Sequence, residues 1–168
     1  MMNVFYVDSN PAVAAKMMCD KHVVKMILES AQILSTAHRV LDGDERADNN
    51  GLYKATHKSH PSAVWARDNS SNYEWLWEHM AALMKEYTAR YGKIHATERL
   101  THSLWELPRN ISHNDFSPPP QCMPDKYKCN PSSSSKADCV SAYRGYYLGD
   151  KMYMAKWQYT EVPSWATA

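Results

Sequence analysis

Residues 19–41, CDKHVVKMILESAQILSTAHRVL, carry two registers at once. Val23, Ile27, Ile33, Leu34, Ala37 and Leu41 recur at helical spacing and form the apolar stripe of a core-facing helix. Beside them run His22, Lys25, Glu29, Gln32 and Thr36, separated by steps of 3, 4, 3 and 4, so they share one face. An ordinary solvated face repeats Glu and Lys, with Lys25–Glu29 as an i,i+4 pair. Here a His, a Lys, a carboxylate and an amide stand in a row, which points to acid/base work and hydrogen bonding.

Outward from that stretch, Asp8, Ser9 and Asn10 are good caps and Pro11 suits a first helical turn, so a helix is expected from 11 to 41 without a break. Asp42-Gly43-Asp44 stops it, and 42–60 reads as a polar loop. Residues 3–7 (NVFYV) predict a short edge strand or an extended lead-in. Pro61 opens a second helical stretch, 61–91, with Val64, Trp65, Leu76, Met80, Leu83, Met84 and Tyr87 as its apolar line. The polar run 68–72 divides it near Ser71, and Gly92 ends it. A third helix is expected over 94–106 and a last one over 136–156, with Val140, Tyr143, Tyr147 and Met154 inward. Between them, 107–135 holds a triple proline and a serine run, a long loop of the kind that is functional or mobile. The expected class is mainly α: one helical domain over 1–168, with a short N-terminal extended segment and a long Pro/Ser-rich loop.

Net charge is +1, which excludes a bulk polyelectrolyte binder. Six Trp and eleven Tyr against two Phe favour flat rings with a polar edge, suited to a helical core or to stacking on bases. No stretch approaches the roughly 18 apolar residues of a membrane span, and no signal peptide is evident, so a soluble cytoplasmic protein with reduced Cys19, Cys122, Cys129 and Cys139 is expected. Cys19 and His22 have metal-ligand spacing on a helix, but no tight Cys pair completes a zinc signature, and no metal site is expected. Five glycines, with no Walker loop, dinucleotide fingerprint, nucleophile elbow or HExxH, exclude a Gly-rich phosphate cradle.

Two further constellations could serve a polyanionic substrate. His57-Lys58-Ser59-His60 precedes a helix N-terminus, where backbone N–H groups favour an anion, and Arg67 follows; a plain capped helix start explains it equally. Lys126 and Tyr127 stand together in the long loop, while Arg144, Tyr147 and Lys151 share a helical face, cations interleaved with aromatics as a nucleic-acid backbone and an unstacked base would want. A tyrosine cluster with a snorkelling arginine would look the same.

The segments CDKHVVKMILESAQILSTAHRVLDG, HPSAVWARDNSSNYEWLWEHMAALMKEYTARYGKIH, MPDKYK, SAYRGYYLGDKMYMAKW and VPSW cover well over half the chain. In this order they resemble a family of small bacteriophage proteins of thymidine hypermodification. That resemblance implies an amino acid:DNA transferase with a helical fold similar to DNA glycosylases. Such an enzyme displaces pyrophosphate from pyrophosphorylated 5-hydroxymethyluracil in phage DNA with the amine of a free amino acid, glycine among the candidates. It implies DNA bearing a modified thymine and a free amino acid as partners, no membrane, the cytoplasm of an infected bacterium, and no cofactor beyond Mg²⁺ travelling with pyrophosphate. Roles follow from chemistry: His22, Lys25 and Glu29 catalytic, with Glu29 or His22 taking the amine proton. Lys21, Gln32, His60, Arg67, Asn72, Lys126, Tyr127, Arg144, Tyr147 and Lys151 would bind substrate or DNA, Asn72 at the amino acid carboxylate. The target base must be flipped out or presented single-stranded. The competing readings are a DNA glycosylase or lyase acting on modified or damaged pyrimidines, and a non-enzymatic phage DNA-binding module.

Overall fold

The caps read from the sequence do start helices. In the computed structural model, which describes residues 2–167, the Asn10 side chain accepts from Ala12 N and Val13 N and Pro11 opens α1 (Pro11–Met17). Helix α2 (Asp20–Asp42) follows after a break, so the single helix expected over 11–41 is two. The break is made by distant partners. Arg90 donates to Lys16 O and Met18 O, Trp157 donates to Met17 O, and the Tyr147 hydroxyl accepts from Cys19 N. These groups satisfy the frayed end of α1 and let Met18 and Cys19 turn extended.

Gly43 ends α2 at φ +84°, in the left-handed region that a side chain disfavours, and hands the chain to α3 (Asp44–Asn49), a helix inside the segment expected to be loop. Helices α4 (Pro61–Asp68) and α5 (Ser70–Tyr91) are separated at Asn69, whose side chain caps α5 by accepting from Asn72 N. The third expected helix is a 3₁₀ turn, Ala96–Leu100, followed by one short helix, α6 (Thr101–Trp105). Residues 107–135 are the expected long loop apart from a 3₁₀ turn at Asp125–Tyr127. The last helix, α7 (Lys136–Tyr146), widens into a π turn at Tyr147–Lys151 and stops short of 156.

Helix α2 packs against α4 and α5, and α1 lies along α5. Ile27, Ile33, Leu34 and Ala37 of α2 meet Leu76, Met80 and Leu83 of α5 in one core. Val64, assigned inward by its spacing, is instead an exposed residue of α4. Residues 3–7 form the expected lead-in, in no strand among the described residues; the segment turns at Phe5 (φ +56°), where Val7 N donates to Phe5 O, and is buried throughout. Tyr6 reaches Trp75 at 5.1 Å between ring centroids, and Phe5 reaches His22 at 4.4 Å. The architecture is mainly α, and no helix among the described residues is long and apolar enough to cross a membrane.

Candidate functional site

At His22 and Glu29 the polar face of α2 is covered by the N-terminal segment, while Lys21 and Lys25 stay exposed. Asn3 N donates to Glu29 Oε2 at 3.4 Å, and Asn3 Nδ2 donates to Cys122 O at 2.9 Å, tying that face to the long loop. Lys25 Nζ stands 3.8 Å from Glu29 Oε1; the lysine is exposed and the Glu29 side chain is only 12% so. Burial holds the Glu29 carboxyl above its usual range, with the Lys25 charge pulling the other way. This is a carboxylate able to take a proton, with a cation beside it.

His22 behaves differently. Its ring is buried, stacked on Phe5 and edge-on to Tyr147 at 5.2 Å, and its Nδ1 has no hydrogen-bond partner among the described residues. Burial, then the Lys151 and Lys25 charges, push its pKa down to about 3. An imidazole that binds a proton so weakly is a poor base at neutral pH, and of the two proton acceptors proposed from sequence Glu29 is the better suited.

Around Phe5 the aromatic wall continues through Tyr146, stacked at 6.1 Å, to Tyr127, 5.6 Å from Tyr146. Lys151 Nζ lies 5.1 Å from the Tyr146 centroid and 5.9 Å from that of Phe5, and Lys126 Nζ lies 5.0 Å over Tyr127. Tyr127 donates to Asp150 Oδ1 at 2.7 Å and packs against Gly149, where a Cβ would collide with its ring and hydroxyl. The helix face and the C-terminal cations therefore meet through the wall of aromatic rings. Lys21 is exposed one turn before Lys25, and Gln32 is half-buried one turn after Glu29.

The far end of the ladder is anchored rather than open. Thr36 Oγ1 accepts from Thr56 N at 3.2 Å and donates to Thr56 O at 3.4 Å. His57 follows at φ +49°, its Nδ1 paired with Thr56 Oγ1 at 2.7 Å, and its charge is among those acting on Glu29. Phe5, at φ +56°, is the other strained residue here. Non-glycine residues in that region store strain of the kind found at functional sites.

Five residues proposed as ligand contacts are spoken for by the fold. Asn72 is fully buried, donating to Trp65 O and Ser117 Oγ and accepting from Ser117 N, so it cannot clamp a carboxylate. Tyr147 is fully buried with its hydroxyl on Cys19 N and is closed to a flipped base. Arg144 donates to Val7 O at 2.8 Å and to Asp8 Oδ1 at 3.3 Å, pinning the lead-in segment where a phosphate contact was expected. His60 caps α4, its Nδ1 accepting from Ser62 N. Arg67 donates to Lys58 O at 2.7 Å, which holds the 57–60 turn. Sequence reasoning missed Asn3, Phe5 and Tyr146, and read His57 only as part of an anion site at the start of α4. The one signal for any of them was Asn3, a polar residue opening an apolar run. Among the described residues no three His, Cys, Asp or Glu side chains converge as a metal would require.

Residues 2–99 match the sequence profile of a family described as pyrimidine dimer DNA glycosylase. No curated protein and no solved structure matches the chain.

Proposed function

The chain belongs to the pyrimidine dimer DNA glycosylase family, a helical family acting on pyrimidines in DNA, and we propose that within it the protein transfers a free amino acid to a modified thymine. The observation that carries this reading is Glu29: a carboxylate largely removed from water, its proton affinity raised, with Lys25 at 3.8 Å. In the transfer, the amine nitrogen attacks the 5-methylene carbon of pyrophosphorylated hydroxymethyluracil. The C–O bond breaks, pyrophosphate leaves with the electron pair, and Glu29 takes the proton the amine releases. Lys25, Lys126 and Lys151 offset charge on the departing pyrophosphate. Likeness of the C-terminal segments 123–128 and 141–157 to the hypermodification proteins, outside the profile match, supports transfer over simple base excision.

A second reading follows from the family description itself. In a glycosylase or lyase, the Lys25 amine would give up a proton, with Glu29 assisting the proton transfers, and attack C1′ as the base departs. One experiment separates the two. The protein is incubated with amino acids and DNA carrying pyrophosphorylated hydroxymethyluracil, and the DNA is digested to nucleosides for mass spectrometry. An amino acid adduct establishes transfer. Strand breakage after alkali, without adduct, establishes the glycosylase, and unchanged DNA refutes both.

A further inference from the structure

On the N-terminal side of the candidate site lies a cavity of about 480 Å³ between the start of α2, the end of α5 and the C-terminal tail. Lys21 and Lys156 stand at it, Tyr91 and Tyr153 supply aromatic walls, and Met154 adds apolar surface. Tyr153 is 86% exposed, a large ring that contributes almost nothing to the core. Tyr159, also exposed, meets Tyr91 edge-on at 5.4 Å and extends the aromatic surface. Asp20 is the one carboxylate among the lining residues. Its Oδ1 takes Arg90 at 3.3 Å and its Oδ2 takes Gln158 N at 2.9 Å, so its charge is already met from within the protein. What remains for a ligand is two lysines and two tyrosine faces.

Resting on the DNA-directed reading above, we infer that this cavity holds a nucleotide of the same DNA strand, a few positions from the base at Glu29. Phosphate suits Lys21 and Lys156, and any base can stack on a tyrosine face. The register is set by α2. Lys21 and Glu29 are eight residues apart, about 12 Å along the helix axis at 1.5 Å per residue. That is the span of about three to four nucleotides at 3.4 Å each along one strand. Lys25 lies between them, so the strand passes two cations, one turn apart, on its way to Glu29.

The test measures affinity of the full chain for fluorescein-labelled oligothymidylate at several salt concentrations. Tyr153→Ala is expected to weaken binding about tenfold at every salt concentration, the size of one lost base stack. Lys156→Ala is expected to weaken it and to flatten its salt dependence by about one phosphate contact. Both residues are surface-exposed, so unchanged melting curves verify that the variants fold. Equal affinity of parent and both variants, or no binding by the parent, overturns the inference. The probe contains no modified base, which keeps the two ideas separable. A protein that makes no adduct yet loses affinity on Tyr153→Ala keeps the subsite and loses the transfer; adduct formation with unchanged affinity does the reverse.

Discussion

At the residue scale, the contrast between Glu29 and His22 is one of proton affinity. Both sit on one face of α2 and both are desolvated, but burial disfavours the charged form of each. For the carboxylate that raises proton affinity; for the imidazole it lowers it, to about 3. Desolvation therefore makes Glu29 a stronger base while disabling His22, whose work is to stack on Phe5. Glu29→Gln preserves size and removes the acceptor, so activity on modified DNA is expected to fall by about 10²–10⁴. Its urea midpoint should stay close to the parent's, since the exposed Lys25 partner contributes on the order of 0–1 kcal/mol. An active Glu29→Gln protein would reassign Glu29 to holding the lead-in segment through Asn3 N.

At the scale of elements, a buried cation is the charged member of the group that holds the break between α1 and α2. Arg90, 1% exposed, serves Lys16 O and Met18 O and is paired with Asp20 at 3.3 Å and Glu86 at 3.1 Å. Arg90→Leu would leave the Asp20 charge and two carbonyls short of partners, a loss of about 3–5 kcal/mol. Chemical denaturation reads that loss. Arg90→Lys should recover little of it, because one ammonium cannot reach the same set of acceptors. This element also shows what the sequence conceals. Helix starts at Asn10, His60 and Asn69 depend on neighbours two or three residues away, so the caps could be read locally. The stop at Met18 depends on Arg90, Tyr147 and Trp157, some 72 to 140 residues distant, and no local pattern announces it. The site divides the same way. Lys25, Glu29 and Gln32 were legible as a helix face, whereas Phe5 and His57 reach it through left-handed backbone that an apolar or a basic run does not signal. Asn72, Tyr147 and Arg144 were read as ligand contacts from residue type alone, and tertiary packing turns each toward the protein interior or the lead-in.

Across the whole molecule, three buried histidines give the fold an acid limit. His22 is held near 3, His38 near 4 and His79 near 4, in each case first by burial. Their partners match neutral rings: His38 Nε2 meets the Tyr73 hydroxyl, which itself donates to Leu104 O, and His79 Nδ1 faces Pro11 O. In the unfolded chain each imidazole titrates near 6.5. Between roughly 6.5 and these lower values the unfolded state binds more protons, so stability rises with pH through that window. The contribution is complete above the unfolded value and is lost as pH falls toward the folded ones. Glu29 opposes it, since a carboxyl raised by folding costs stability once it ionises, but it is one group against three. The melting temperature is therefore expected to drop as pH goes from 7 to 5, with an uptake of two to three protons on unfolding, which calorimetry in buffers of different ionisation heat would measure. His79→Gln tests the assignment without touching the candidate site. Its amide has no proton to gain in this range, so the variant starts less stable and its stability falls less steeply with acid, by about one proton. An unchanged slope in that variant would place the acid sensitivity in the carboxylate pairs instead.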